Sequence, residues 1–235
     1  MNIAGLQKMT LLDYPGKVAC TVFLPGCNFR CPFCHNGELL DGSFPPLMEE
    51  GELLAFLAKR KGILDGVCIT GGEPTLHPGL ESLLREIKAL GYRVKLDTNG
   101  YRPAVLRRLV EEGLVDYVAM DVKNSPSRYA ATCGLELMDL TAIEESLRFL
   151  LSGAADYELR TTIVADFHDG DSFRDMAQWL VGLGEGRKAA RFFLQCFVGR
   201  ETVLQSGLKA PSKADLEEFS ALLAPAAEDV QLRGV

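Results

Sequence analysis

The chain lacks any long uncharged run. The longest, Val18 to Phe29, is twelve residues, well short of the roughly 20 apolar residues a membrane-spanning helix needs. It also lacks a basic segment followed by an apolar one at its start, so no secretory signal is expected. Positive charge is in deficit, with 25 Lys and Arg against 32 Asp and Glu for a formal net charge of −7. That balance argues against non-specific binding to nucleic acid or to an anionic membrane, both of which need a basic surface. No repeat, low-complexity tract or Pro-, Gly- or Ser-rich linker divides the 235 residues. The cysteines are odd in number, seven, and without an export signal they speak against a disulfide framework, because the cytosol keeps thiols reduced. These absences predict a folded, cytoplasmic protein forming a single domain over 1–235. Its expected parts are an N-terminal extension (1–17), a core (18–200) and a C-terminal helix and tail (201–235).

What is present is an alternation of strand-like and helix-like segments. The strands are expected at Val18–Leu24, Gly66–Thr70, Tyr92–Asp97, Tyr117–Lys123, Tyr157–Val164 and Arg191–Val198. Helices are expected at Leu47–Lys61, Leu80–Leu90, Pro103–Glu112, Asp139–Leu151, Ser172–Leu183 and Lys213–Leu223, with a terminal strand over Val230–Val235. This makes six βα units of roughly 30 residues each. Nearly continuous apolar strands predict a parallel sheet covered by helices. Six units are fewer than the eight of a closed barrel, so the expected fold is α/β, a partial (β/α)6 barrel with parallel strands, open at the side. A flat doubly wound sheet is the alternative. Polar residues gather at or just after five strand ends: Cys27–Cys34, Gly71–Pro74, Asp97–Asn99, Asp121–Lys123 and Asp166–His168. In parallel α/β folds that edge holds the ligand, so one shared site is expected.

The sharpest motif is Gly26-Cys27-Asn28-Phe29-Arg30-Cys31-Pro32-Phe33-Cys34-His35-Asn36, a C-x3-C-x2-C cluster. A [4Fe–4S] cluster takes four cysteines; three would leave one iron open for another ligand. A zinc site with His35 as fourth ligand and an electron-transfer cluster with a distant fourth cysteine are the other readings. His35 directly follows Cys34, which makes an awkward tetrahedral pair, so the spacing favours the open cluster. Cys20, Cys68 and Cys196 lie in apolar runs and read as small buried hydrophobes. Cys133 has no evident role, and His77 reads as structural or as part of a rim.

C-x3-C-x2-C with an aromatic, here Phe33, before its last cysteine resembles the signature of the radical S-adenosylmethionine superfamily. The resemblance implies that Cys27, Cys31 and Cys34 hold a [4Fe–4S] cluster whose free iron chelates S-adenosylmethionine. It also implies reductive cleavage to a 5′-deoxyadenosyl radical. Gly71-Gly72-Glu73-Pro74 resembles that superfamily's element beside the methionine moiety, where glycines permit close backbone approach and Glu73 would orient the ammonium group. Phe33 and His35 would lie near the adenine.

One branch, the glycyl-radical-enzyme activating enzymes, is most similar. Asp97-Thr98-Asn99-Gly100 and Met120-Asp121-Val122-Lys123 resemble its segments after the third and fourth strands. Asp97, Thr98 and Asp121 would then bind a monovalent cation beside the cofactor carboxylate, Asn99 would join the cofactor site, and Lys123 and Arg160 would contact the cofactor. Taken singly, Asp97 or Asp121 is as readily a helix N-cap as a ligand. Asp13, in Asp13-Tyr14-Pro15-Gly16, would lie near the incoming glycine. The wording around Met9–Gly16 is most like activating proteins of anaerobic ribonucleoside-triphosphate reductase. The implied activity is abstraction of a glycine Cα hydrogen from a partner glycyl-radical enzyme, most readily that reductase, with a reduced flavodoxin- or ferredoxin-like electron donor. The alternatives are a pyruvate formate-lyase activating enzyme and a radical enzyme acting on a small molecule. Gln195-Cys196-Phe197 departs from the Tyr-His pair that formate-lyase activating enzymes tend to carry on strand six, and no second cysteine cluster is present, so one cluster is expected.

Overall fold

The alternating elements form close to where the sequence puts them in the computed structural model, which describes residues 1–41 and 44–234. The residues gather into two units. The first contains Met1–Asn28, Glu38–Thr98 and Ala104–Ala119; the second contains Phe29–Gly37, Asn99–Pro103 and the residues from Met120 onward.

In the first unit lie β1 (Asn2–Ile3), β2 (Gly5–Thr10), β3 (Ala19–Leu24), β4 (Met48–Glu49), α1 (Glu50–Ala58), β5 (Gly66–Gly71), α2 (Leu80–Ala89), β6 (Arg93–Thr98), nearly all of α3 (Pro103–Glu111) and the first three residues of β7 (Tyr117–Asp121). Its main sheet runs β2-β3-β5-β6-β7. β3, β5 and β6 are parallel neighbours, with Leu24 opposite Gly71 and Cys68 opposite Lys95. β3 is buried at nearly every position, as a strand covered on both faces must be. α2 turns Leu80, Leu83, Leu84 and Ile87 inward, the 3.6-residue stripe that drives an amphipathic helix onto a sheet.

The second unit holds α4 (Tyr129–Thr132), α5 (Thr141–Leu151), β8 (Asp156–Ile163), α6 (Gly170–Gly184), β9 (Phe192–Cys196), α7 (Lys213–Leu223) and β10 (Val230–Arg233). Its strand order is β7-β8-β9-β10, and β8, β9 and β10 are parallel. Two capping boxes start its long helices. Asp169 accepts from Ser172 N at 2.9 Å and Ser212 accepts from Asp215 N at 3.1 Å, and each partner side chain returns a bond to the cap. Such boxes satisfy amide donors that the helix itself leaves open.

The fold class is α/β with a mostly parallel sheet, and among the described residues no strand pairing closes it into a full barrel. In neither unit does the strand order reverse, so the doubly wound alternative, which needs a reversal point, is excluded. The extension over 1–17 contributes β2, which pairs antiparallel with β3 from Gly5 opposite Phe23, with an irregularity between Gln7 and Thr10. Its mostly exposed side chains carry no apolar alternation, which hides an edge strand from a sequence reading. The terminal strand stops at Arg233, and Val235 lies outside the described residues. Among the described residues no helix is long and apolar enough to cross a membrane.

Candidate functional site

In the first unit, β3 and β5 end together. Gly71 has φ +117°, and a Cβ there would run into the backbone of Leu24; one at Gly72 would run into the carbonyl oxygen of Gly26. Glycine is thus required twice in succession. Gly72 N bonds to Leu24 O and Glu73 N to Gly26 O, both at 2.8 Å. The turn is thereby strapped to Pro25-Gly26-Cys27, and Cys27 N bonds to Leu40 O at 3.0 Å. Glu73 is fully buried. Its Oε1 accepts from Thr75 N at 3.0 Å, from the Thr75 hydroxyl, and from Thr98 Oγ1 at 2.8 Å. A buried carboxylate demands such donors. His77 Nε2 lies 2.6 Å from Pro25 O, a structural contact as expected. Asp13 accepts from Thr21 Oγ1 at 2.5 Å and gives its own N–H to Thr10 Oγ1 at 3.3 Å.

Asp97 lies on β6 with Lys95 two residues before it, so both project from the same face of the strand. Their side chains form an ion pair. Cys68, from the neighbouring strand, lies 3.7 Å from Asp97 Oδ1 and 3.9 Å from Lys95 Nζ.

The second unit fixes the rest of the cysteine loop. Arg30 N bonds to Cys133 O at 2.9 Å, Cys34 N to Cys31 O at 3.0 Å and Gln205 N to Pro32 O at 2.9 Å. Gly134 has φ +69° and packs so tightly that a Cβ would strike the carbonyl oxygen of Arg30. Phe33 meets Phe167 with ring centroids 5.9 Å apart. His35 stacks on Phe197 at 5.7 Å, and its Nε2 lies 2.8 Å from Val198 O. Asn99 is buried and accepts from Tyr101 N at 3.0 Å.

The Cys31 thiol is shifted from its ordinary value. A hydrogen bond from Cys133 pulls its pKa down to about 7; burial opposes this, and the Lys123 charge assists it. Burial pushes Cys34 up, with the Asn36 backbone and Lys123 working against it. At the end of β7, Asp121 sits between Lys123 Nζ at 2.9 Å and Arg160 Nε at 3.0 Å. Burial would raise its pKa, but Arg160 and then Lys123 outweigh that and hold it at about 2. Lys123 rises well above its ordinary value: burial would depress it, and Asp121 and Cys31 overcome that.

Two residues escaped the sequence reading, Cys133 in the second unit and Lys95 in the first. Cys133, which shows no partner in the sequence, is wholly buried and hydrogen-bonded as a free thiol to Cys31. Lys95 reads in sequence as an ordinary strand lysine. His168 is buried, with Nε2 2.9 Å from Lys123 O. Cys20 and Cys68 are buried as expected, whereas Cys196 is half-buried.

Among the described residues no three Cys, His, Asp or Glu side chains are gathered as metal ligands. The donor set nevertheless suits iron. Three cysteines lie within eight residues, and Cys31 is held near neutrality, which favours the thiolate that binds metal. The half-buried Lys123, whose charge acts on Cys31, suits an anionic cofactor group.

The sequence profile of the Radical SAM superfamily matches residues 21–178. A protein of Methanocaldococcus jannaschii, provisionally named a glycyl-radical enzyme activating enzyme, is 33% identical over 184 residues, 75% of this chain and 74% of its own. A 7-carboxy-7-deazaguanine synthase of Hyperthermus butylicus is 43% identical over 98 residues, 40% of each chain. The solved domain of a pyruvate-formate lyase-activating enzyme from Bacteroides vulgatus has the same fold, with TM-score 0.57 and 18% identity over 72% of this chain and 99% of its own. The cysteine loop, the glycine turn bearing Glu73 and a profile match over most of the sequence agree, and the chain belongs to the radical S-adenosylmethionine superfamily of enzymes.

Proposed function

We propose that the protein installs a radical on a partner glycyl-radical enzyme. The observation that carries this reading is the likeness, over three quarters of both chains, to the archaeal activating enzyme. Cys27, Cys31 and Cys34 would hold one [4Fe–4S] cluster. Once bound there, such a cluster would supply the one-electron reduction that splits S-adenosylmethionine into methionine and a 5′-deoxyadenosyl radical able to take a glycine Cα hydrogen. The chain's own residues bind and orient. Gly71 and Gly72 let the backbone approach the methionine moiety. Glu73, its Oε1 already holding Thr75 and Thr98, would face the ammonium group. Lys123 and Arg160 present positive charge, balanced in part by Asp121. Asp97, Thr98, Asn99 and Asp121 complete the cofactor site, where the carboxylate of S-adenosylmethionine needs a positive neighbour, either a monovalent ion or a side chain. Phe33 and His35 would flank the adenine, and Asp13 would lie near the incoming glycine. The electron would come from a reduced flavodoxin- or ferredoxin-like protein.

The partner assigned by this reading is anaerobic ribonucleoside-triphosphate reductase, on the wording of Met9–Gly16; pyruvate formate-lyase is the alternative. A second reading, action on a small heterocycle, draws on the likeness to the deazaguanine synthase. The test mixes anaerobically reconstituted, reduced protein with S-adenosylmethionine and each candidate partner. A glycine-centred doublet in the electron paramagnetic resonance spectrum, seen only with the reductase, is expected. Cleavage that is stimulated by a heterocycle and leaves every protein partner without a radical would replace this reading with the second.

A further inference from the structure

Lys95 is 2% exposed, and burying an ammonium group is costly unless an opposite charge meets it. The opposite charge is Asp97, on the same strand and the same face. The short reach is fixed by the strand itself, because residues i and i+2 stand side by side. Cys68 closes on both groups from β5, opposite Lys95 in register. The carboxylate that the resemblance assigns to a monovalent ion therefore already holds a tethered unit charge. Asp121, the other acidic group of that assignment, holds Lys123 at 2.9 Å and Arg160 at 3.0 Å within its own unit. Thr98, the remaining assigned ligand, gives its hydroxyl to Glu73 at 2.8 Å. The three residues thus fit a metal ion poorly. A free ion would have to displace an ammonium group held at high effective concentration by its own backbone. It would also have to shed water for a site whose charge is already balanced.

We propose that Lys95 is the built-in counter-cation of Asp97, so that this protein binds S-adenosylmethionine without a monovalent metal ion. The proposal rests on the reading of the site as one for S-adenosylmethionine. It makes Lys95 a positioning residue, acting through Asp97 and the local charge rather than on the reacting atoms.

The experiment compares the holoenzyme in buffers of equal ionic strength containing tetramethylammonium, sodium or potassium chloride, and measures S-adenosylmethionine affinity by anaerobic calorimetry. Wild-type affinity is expected to be the same in all three. In Lys95→Met, affinity in tetramethylammonium should fall by about tenfold or more and return when sodium or potassium is restored. Lys95→Arg, which keeps the charge, should stay independent of the ion. In wild type, ²³Na relaxation should show no saturable site, a readout that stands even if Lys95→Met fails to fold. A wild type that needs sodium or potassium, a saturable ²³Na site, a Lys95→Met protein that binds as wild type in every buffer, or a loss that neither ion restores would each overturn the proposal. A wild type that binds no S-adenosylmethionine in any buffer would overturn the underlying reading and this inference with it, and is thereby distinguished from ion dependence.

Discussion

Thr98 donates its hydroxyl hydrogen to Glu73 across 2.8 Å, tying the end of β6 to the turn that follows β5. Glu73 is fully buried, so each donor it loses leaves charge without compensation. Thr98→Val removes that donor at nearly constant volume. Stability measured by urea denaturation should fall by about 1–3 kcal/mol, and affinity for S-adenosylmethionine should weaken with it. Thr98→Ser restores the hydroxyl and should recover most of both.

Gly134 packs directly against the cysteine loop. Its φ of +69° suits glycine, and an added Cβ would strike the carbonyl oxygen of Arg30, the residue before Cys31. Gly134→Ala should therefore displace the loop more than it disturbs the sheet. The expected result is near-native far-ultraviolet circular dichroism together with a clear loss of iron and of absorbance near 400 nm after anaerobic reconstitution. Full iron content in that variant would show that the loop tolerates the shift.

What the sequence marks is what residue type and spacing set apart. Cys27, Cys31 and Cys34 stand out by spacing, and Gly71-Gly72 by a turn with no room for a Cβ at either position. Apolar runs also mark the order of elements, because strands buried at nearly every position, such as Ala19–Leu24, have few other readings. What stayed hidden are relationships that depend on tertiary neighbours. Lys95 reads as an ordinary strand lysine until Cys68 and Asp97 are placed beside it. Cys133 is nearly a hundred positions from the cysteine loop, and only folding brings its carbonyl to Arg30 N. β2 was missed for the opposite reason: an exposed edge strand needs no apolar pattern to hold its ladder.

Asp121 links acid sensitivity to the paired cations. Its carboxyl is held at about 2 in the folded chain, below the ordinary carboxylate range of about 4. The unfolded chain therefore takes up the proton first as pH falls, and the stability that Asp121 lends is complete above about pH 4 and lost on the way down to about 2. Asp121→Asn should be less stable than wild type at pH 6, with the gap between the two narrowing as pH is lowered from 4 towards 2. Urea midpoints collected across that range would check it, and a gap of constant size would show that Asp121 does not carry this dependence.

His168 acts in a different window and with a different partner. Its Nε2 lies 2.9 Å from the carbonyl oxygen of Lys123, and its Nδ1 lies 3.2 Å from Val164 N and 3.1 Å from Val164 O. Burial lowers its pKa, and the contacts with the Lys123 and Val164 backbone offset this only in part. In the unfolded chain the ring takes a proton near pH 6.5, whereas in the folded chain it resists. Stability is therefore greatest above that pH and declines as pH falls from about 6.5 towards the folded value, levelling off below it. His168→Gln keeps a hydrogen-bonding side chain without a titrating group. It should flatten the stability profile between pH 5 and 7, whatever its stability at pH 8. Because His168 bonds to the backbone of Lys123, the variant should also loosen the hold of Lys123 on Asp121, read as weaker binding of S-adenosylmethionine at pH 8. A profile as steep as that of wild type would assign the titration to another group.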